Sequence, residues 1–181
     1  MDPRPKSVVL IGMMGAGKSS VGRFLQKRTG WPRFDMDEMI VAQAGLSIPE
    51  IFAQHGEPWF RNLETTVLTG LSPSEPSIVV TGGGVVLRPE NAAMLKRMGT
   101  VVWLEAELET LLERASRRGN RPLLQTENPP ATLSELLETR RPLYAGIADI
   151  RIDATRLGHE AVTDLILSEL EKGMAPERRV G

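Results

Sequence analysis

The chain contains no cysteine, which excludes disulfides, thiolate zinc sites and cysteine nucleophiles together. Histidine is nearly absent as well: His55 and His159 stand far apart in the sequence, which disfavours a histidine metal centre. Both read most simply as surface or capping residues without a proton-transfer role. Net charge is scarce too. A formal charge of -1 gives no general attraction to nucleic acid or to an anionic membrane, so any electropositive site must be a local cluster of arginines. The opening residues carry no signal-peptide cleavage pattern and no apolar run approaches membrane-spanning length, so a cytoplasmic location is expected.

What remains is an ordinary globular composition, 41% hydrophobic and 25% charged. At 181 residues the length suits one well-buried core, and a single domain over 1–181 is expected. Strand-like runs alternate with helix-period stretches. "SVVLIG" (7–12) reads as a buried strand, followed by a helix over 18–28. "PRFDMD" reads as a short strand, "EMIVAQAG" and "SIPEIFAQHG" as two short helices, and Pro58 to Leu71 as a longer one. Further strands are expected at "SIVVT", "TVVWLE" and "DIRID", with helices over 89–98, 107–117, 132–148 and 160–172. The polar, proline- and glycine-rich stretch 117–131 is too long for an idle connection and reads as a lid; residues 173–181 read as a frayed tail. This alternation predicts an α/β fold with a parallel sheet flanked by helices and ligands at the carboxyl ends of its strands.

"GMMGAGKS" (12–19) matches G-x-x-x-x-G-K-[ST] directly after a buried strand and at the opening of a helix. In such a loop the backbone N–H groups turn onto phosphate oxygens, Lys18 reaches the outer phosphates and the Ser19 hydroxyl ligates magnesium. The acceptor of the phosphate is not specified by this loop. Asp35 and Asp37 are one residue apart, which in an extended segment places both carboxylates on one face. They could divide labour between a hydrated metal and an acceptor hydroxyl, or merely end a strand and cap the next helix. In "GEPWFRNLE", Arg61 and Glu64 lie three apart on an expected helix and could pair, yet Trp59 and Phe60 give Arg61 an apolar setting suited to gripping a carboxylate. Trp59, Phe60, Phe52, Met13 and Met14 read as core or pocket wall. Arg121 lies in the expected lid, and Arg140 and Arg141 precede Pro-Leu-Tyr on a helix. Finally, "IVVTGGGVV" (78–86) runs a strand into three glycines where an acid for magnesium would be usual.

The order "GMMGAGKSSVG", "FDMD", "SIPEIFAQHGEPWFRNLE", "TGGGVV", "RPLL", "RRPLY" resembles the shikimate kinase family over most of the chain, from Ser7 to about Arg156. The phosphate loop is generic; the other motifs in this order are specific. The resemblance implies a P-loop kinase three-layer fold with five parallel strands, a lid over about 117–131 and a small helical substrate-binding region over about 37–64. It implies ATP and shikimate as substrates, Mg²⁺ as cofactor, a monomer, and transfer of the γ-phosphoryl group to the shikimate 3-hydroxyl. By resemblance, Gly15, Ala16, Gly17, Lys18, Ser19 and Ser20 hold the nucleotide phosphates, with Arg114 and Arg156 flanking the adenine. Asp35 holds magnesium through water alongside Ser19. Asp37 binds the acceptor and orients or deprotonates its hydroxyl, Arg61 and Arg140 clamp the carboxylate, Gly82, Gly83 and Gly84 present backbone, and Arg121 swings in from the lid. A family member often has an acid where this chain has Val41. Gluconate kinases, nucleoside monophosphate kinases and non-catalytic nucleotide sensors are the rival readings. The first would not need both arginines with the triple glycine, the second needs a base-recognition region that is not identifiable, and the third needs no acceptor site.

Overall fold

The computed structural model describes residues 7–73, 75–117 and 122–174. Five strands form one parallel sheet in the order β2-β3-β1-β4-β5: β1 is Ser7–Ile11, β2 Arg33–Asp35, β3 Ile78–Val80, β4 Gly99–Glu105 and β5 Ile150–Asp153. Strand β1 is buried along its whole length because both sheet faces are covered, which is why its sequence is continuously apolar rather than alternating. Successive residues of β1 feed opposite layers. Val8 and Leu10 join Ile78, Val80, Val102 and Leu104 on one face; Val9 and Ile11 join Val79, Val101 and Trp103 on the other.

The first face is covered by α1 (Lys18–Thr29), α5 (Leu108–Ser116) and α7 (His159–Met174). The second is covered by α3 (Ile48–Gly70), α4 (Pro89–Met98) and the end of α6 (Pro129–Ile147). Helix α2 (Met36–Ala44) packs on α3 around a third cluster of Ile40, Ile51, Phe60 and Val67, forming the small helical region beside the sheet edge.

Two expectations change in detail. The strand ends at Asp35 rather than running through Asp37, because the Asp35 carboxylate accepts from the Asp37 N–H at 3.2 Å and so starts α2. The two helices expected over 47–71 are present as the two arms of α3, divided as expected at Gly56, whose φ of 77° lies outside the helical region. Ser47 and Glu50 begin that element with a reciprocal capping box. Helix α6 starts at Pro129, earlier than expected, because Asn128 accepts from the Ala131 N–H at 3.2 Å and prolines suit the first turn. A short 3-10 turn over Val85–Leu87 after the triple glycine is additional.

Gly12 ends β1 with φ of 138°, and a Cβ there would stand 2.3 Å from the Leu104 carbonyl oxygen. No side chain fits at this exit from the sheet. Gly12→Ala is expected to lower stability by about 2–4 kcal/mol, combining overpacking and backbone strain; a urea midpoint equal to wild type would contradict this.

Candidate active site

The site lies at the carboxyl ends of β1, β2 and β3, where the strand order places the β1 loop and the end of β2 on either side of the end of β3. Gly15 (φ 82°) and Gly17 (φ 94°) adopt the left-handed conformation that turns the loop between β1 and α1 inward. Lys18 opens α1 and its ammonium donates to the carbonyls of Gly12 at 2.7 Å and Met13 at 2.9 Å. These bonds arch the lysine over the loop. A cavity of about 450 Å³ opens here, lined by Gly15, Gly17, Lys18, Ser19 and Ser20 together with Asp35, Asp37 and Arg114. Ala16, within the loop, is buried and is not among the residues lining the cavity.

A second cavity adjoins the first. Arg61, Glu64, Arg140, Gly82, Gly83 and Gly84 line it, with Ile48, Phe52 and Phe60 forming its apolar wall. Met14, Asp37, Gly82 and Gly83 line both cavities, so Asp37 stands at the boundary between them. Pro122 and Leu123, in the short turn Pro122–Leu124 of the expected lid, also reach the second cavity.

Arg61 is buried on α3 by the helix turn that also buries Phe60 and Glu64. Its guanidinium donates to Glu64 at 2.9 Å and to Glu57 at 2.9 and 3.1 Å, and it lies 5.1 Å from the Phe60 ring centroid. The Arg61–Glu64 pair that the spacing suggests is therefore real but enclosed, not a solvated surface pair. Burial pushes the Glu64 carboxyl above the ordinary carboxylate range, against the pull of Arg61. Arg61 itself is held above its usual value by Glu64 and Glu57, in spite of its burial. Glu64 Oε1 is buried without a hydrogen-bond partner and lies beside Gly82.

Arg140 comes from α6, whose buried stripe runs Leu133, Leu137, Arg140, Tyr144, so helical periodicity carries the cation into the site on an otherwise apolar face. The Tyr144 hydroxyl donates to the Gly83 carbonyl, tying α6 to the glycine loop. Burial raises the Tyr144 pKa to about 12, so the hydroxyl remains a donor at neutral pH.

The triple glycine has a different physical reason from left-handed backbone. None of the three lies at positive φ. A Cβ at Gly84 would stand 2.4 Å from the Arg61 guanidinium, and one at Gly82 would stand 2.8 Å from Glu64 Oε1 and 3.2 Å from Asp37 Oδ1. The glycines make room for the charged groups.

Other expectations divide. Arg114 donates to the Ala154 carbonyl at 3.0 Å and the Thr155 carbonyl at 3.2 Å, bridging α5 to the loop after β5. Arg156 is exposed in that loop and is not among the residues lining the nucleotide cavity. Arg121 lies outside the described residues. Asp35 and Asp37 do not share a strand face, since Asp37 belongs to the first turn of α2, yet both carboxylates line the same cavity. Trp59 is exposed rather than part of core or pocket wall, and stacks on His55 at 4.4 Å. His159, read as a surface or capping residue, lines the nucleotide cavity and lies against Gly17. Nothing local in the sequence marks it, because the sheet order alone brings the start of α7 to the phosphate loop.

A phosphate loop opening into one cavity, with an arginine-rich second cavity sharing an acid with it, defines an ATP-dependent P-loop kinase that acts on a small molecule. Solved structures narrow the class. A shikimate kinase from Acinetobacter baumannii in complex with shikimate superposes with a TM-score of 0.90 at 38% identity, covering 93% of this chain and 94% of that one. The Aquifex aeolicus enzyme superposes with a TM-score of 0.77 at 37% identity, covering 92% and 97%. A shikimate kinase from Thermodesulfovibrio yellowstonii is 43% identical over 92% of this chain and 96% of its own length. The family model for shikimate kinase matches residues 14–171. The chain belongs to the shikimate kinase family. A gluconokinase from Sinorhizobium meliloti, at 20% identity and a TM-score of 0.59, shares the fold alone.

A carboxyl with a raised folded-state pKa adds stability below the ordinary glutamate range, and that contribution is lost as pH rises through the raised value. The stability of wild type relative to Glu64→Gln is therefore expected to fall as pH rises from the ordinary glutamate range upward. Urea unfolding across that window checks this; a difference that grows with pH would contradict it.

Proposed function

We propose that this chain transfers the γ-phosphoryl group of ATP to the 3-hydroxyl of shikimate, with the roles of its site residues divided between the two adjoining cavities. The observation that carries this reading is the position of Asp37 on the boundary, with the phosphate loop on one side and the Arg61, Arg140 and glycine cluster on the other. Shikimate is a ring bearing one carboxylate and three hydroxyls. It calls for forked cations at one end and an acid at the other, which the second cavity supplies.

In this reading Gly15 to Ser20 bind the phosphates, Lys18 neutralises charge on the transferring group, and Arg114 with Arg156 flanks the adenine. Arg61 and Arg140 grip the carboxylate. Asp37 accepts the hydrogen bond of the attacking hydroxyl and aligns it, taking its proton as the new bond forms. Glu64 Oε1, lacking a partner beside Gly82, offers a second acceptor for a ring hydroxyl. Arg121 adds a further positive charge from the lid. Pro122 and Leu123 cover the acceptor side, which helps keep water, the competing nucleophile, from the phosphoryl group.

The donor set suits magnesium. Ser19 and Asp35 offer hard oxygen ligands on the nucleotide cavity, and magnesium characteristically takes few protein ligands beside phosphates and waters. When bound it neutralises charge on the nucleotide phosphates. The acting unit in this reading is a monomer in the cytoplasm; among the described residues, no helix is long and apolar enough to cross a membrane.

Purified protein with Mg-ATP is expected to release ADP only when shikimate is added, and not with gluconate; turnover with gluconate or a nucleoside monophosphate alone would overturn the reading. Arg61→Lys is expected to raise the KM for shikimate by about 10–100-fold, because a point charge cannot fork onto a carboxylate. Asp37→Asn is expected to act chiefly on kcat, lowering it by about 10²–10⁴-fold if it handles the proton. Steady-state kinetics separates the two; an unchanged KM in the lysine variant removes Arg61 from the clamp.

A further inference from the structure

Asp35 is not alone at the end of β2. Two residues before it, Arg33 donates through Nη1 to Asp35 Oδ2 at 3.0 Å, and through Nη2 to both Glu38 oxygens at 2.9 and 3.1 Å. The arginine side chain is only 13% exposed. Its stem passes close to α1: a Cβ on Gly22 would lie 3.5 Å from Arg33 Cδ. Its Nε is buried without a partner, so packing shields the inner edge of the guanidinium from water. Residues i and i+2 of a strand share a face, which gives this cation its direct reach to Asp35.

Both Asp35 oxygens are thereby engaged, Oδ1 by the Asp37 N–H at 3.2 Å and Oδ2 by Arg33. The carboxylate cannot turn freely toward the cavity, and much of its charge is offset by a cation that packing holds in place. The geometry points to Arg33 as a positioning residue that fixes the Asp35 carboxylate as an acceptor for metal-bound water and lowers the affinity of the nucleotide-free site for a divalent cation. Glu38 completes the arrangement by holding the far edge of the guanidinium, which keeps Arg33 bridging rather than swinging away. The consequence is ordered loading, in which the cation enters with the nucleotide phosphates rather than ahead of them.

This inference rests on the magnesium reading above, and the two fail separately. Mn²⁺ serves as the probe, measured by isothermal titration calorimetry on the full-length protein with and without ADP. Wild type is expected to bind Mn²⁺ tightly only with ADP; absence of binding even with ADP overturns the magnesium reading and this inference with it. Arg33→Met is expected to bind Mn²⁺ about tenfold more tightly without ADP, the scale on which removing one nearby unit charge acts at a partly buried site. The gain should vanish when Asp35→Asn is combined with Arg33→Met. Wild-type affinity in Arg33→Met, or a gain that persists with Asp35→Asn, overturns the inference while leaving the magnesium reading intact. Should Arg33→Met lack a cooperative thermal transition, Arg33→Lys decides: its point charge cannot bridge Asp35 and Glu38 together, so nucleotide-free Mn²⁺ binding should tighten by about two- to threefold. Unchanged binding in that variant overturns the inference.

Discussion

The second cavity depends on how closely the charged groups of α3 approach the backbone after β3. Arg61 and Glu64 form a buried ion pair, and such a pair needs a surrounding chain that leaves both side chains room. Gly82 and Gly84 supply that room, since any Cβ at either position would fall inside the space of Glu64 or Arg61. Both members of the pair belong to α3 and face the glycine loop, and Tyr144 fastens α6 to the same loop through the Gly83 carbonyl. Arg140 and Arg61 lie against neighbouring glycines of that loop, at Gly83 and Gly84. An account of the glycines as conformational hinges would have no support in their dihedral angles.

The sheet order converts these local contacts into a two-cavity site. With β3 between β2 and β1, the glycine loop stands between the phosphate loop and the Asp35 end of β2, which lie two strand spacings apart. Asp37 then faces both cavities from the first turn of α2, where the helix N-terminus favours a carboxylate. One acid thus borders both cavities without competing for the position held by Asp35. Asp35 is itself restrained by Arg33 and by its capping bond, so the two carboxylates are kept in different settings although two residues separate them in the sequence.

Much of this was legible in the chain. The phosphate loop and the parallel sheet follow from motif and alternation, while the convergence of Arg61, Arg140 and the glycines was implied by the resemblance. The carboxyl limit of β2 did not, because alternation along "FDMD" suits a strand until the capping bond from Asp35 decides otherwise. The reason for the triple glycine was also out of reach. Close side-chain approach leaves no trace in the glycine's own neighbours, and the partners lie about twenty residues away. His159 and Arg33 escaped for a related reason: their surroundings are set by tertiary contacts with α1 and the phosphate loop. The opposite error occurred at Trp59, where an aromatic residue beside buried Phe60 points to solvent.

The most direct test of the central claim is calorimetric titration of shikimate and, separately, of ADP into Gly84→Ala and wild type. A methyl group at Gly84 displaces the Arg61 guanidinium, so shikimate affinity should fall by about tenfold or more, a loss of roughly 1.4 kcal/mol, while ADP affinity stays within about twofold. If ADP binding is lost and shikimate binding is retained, the glycine loop belongs to the nucleotide side and the account of the acceptor pocket is wrong.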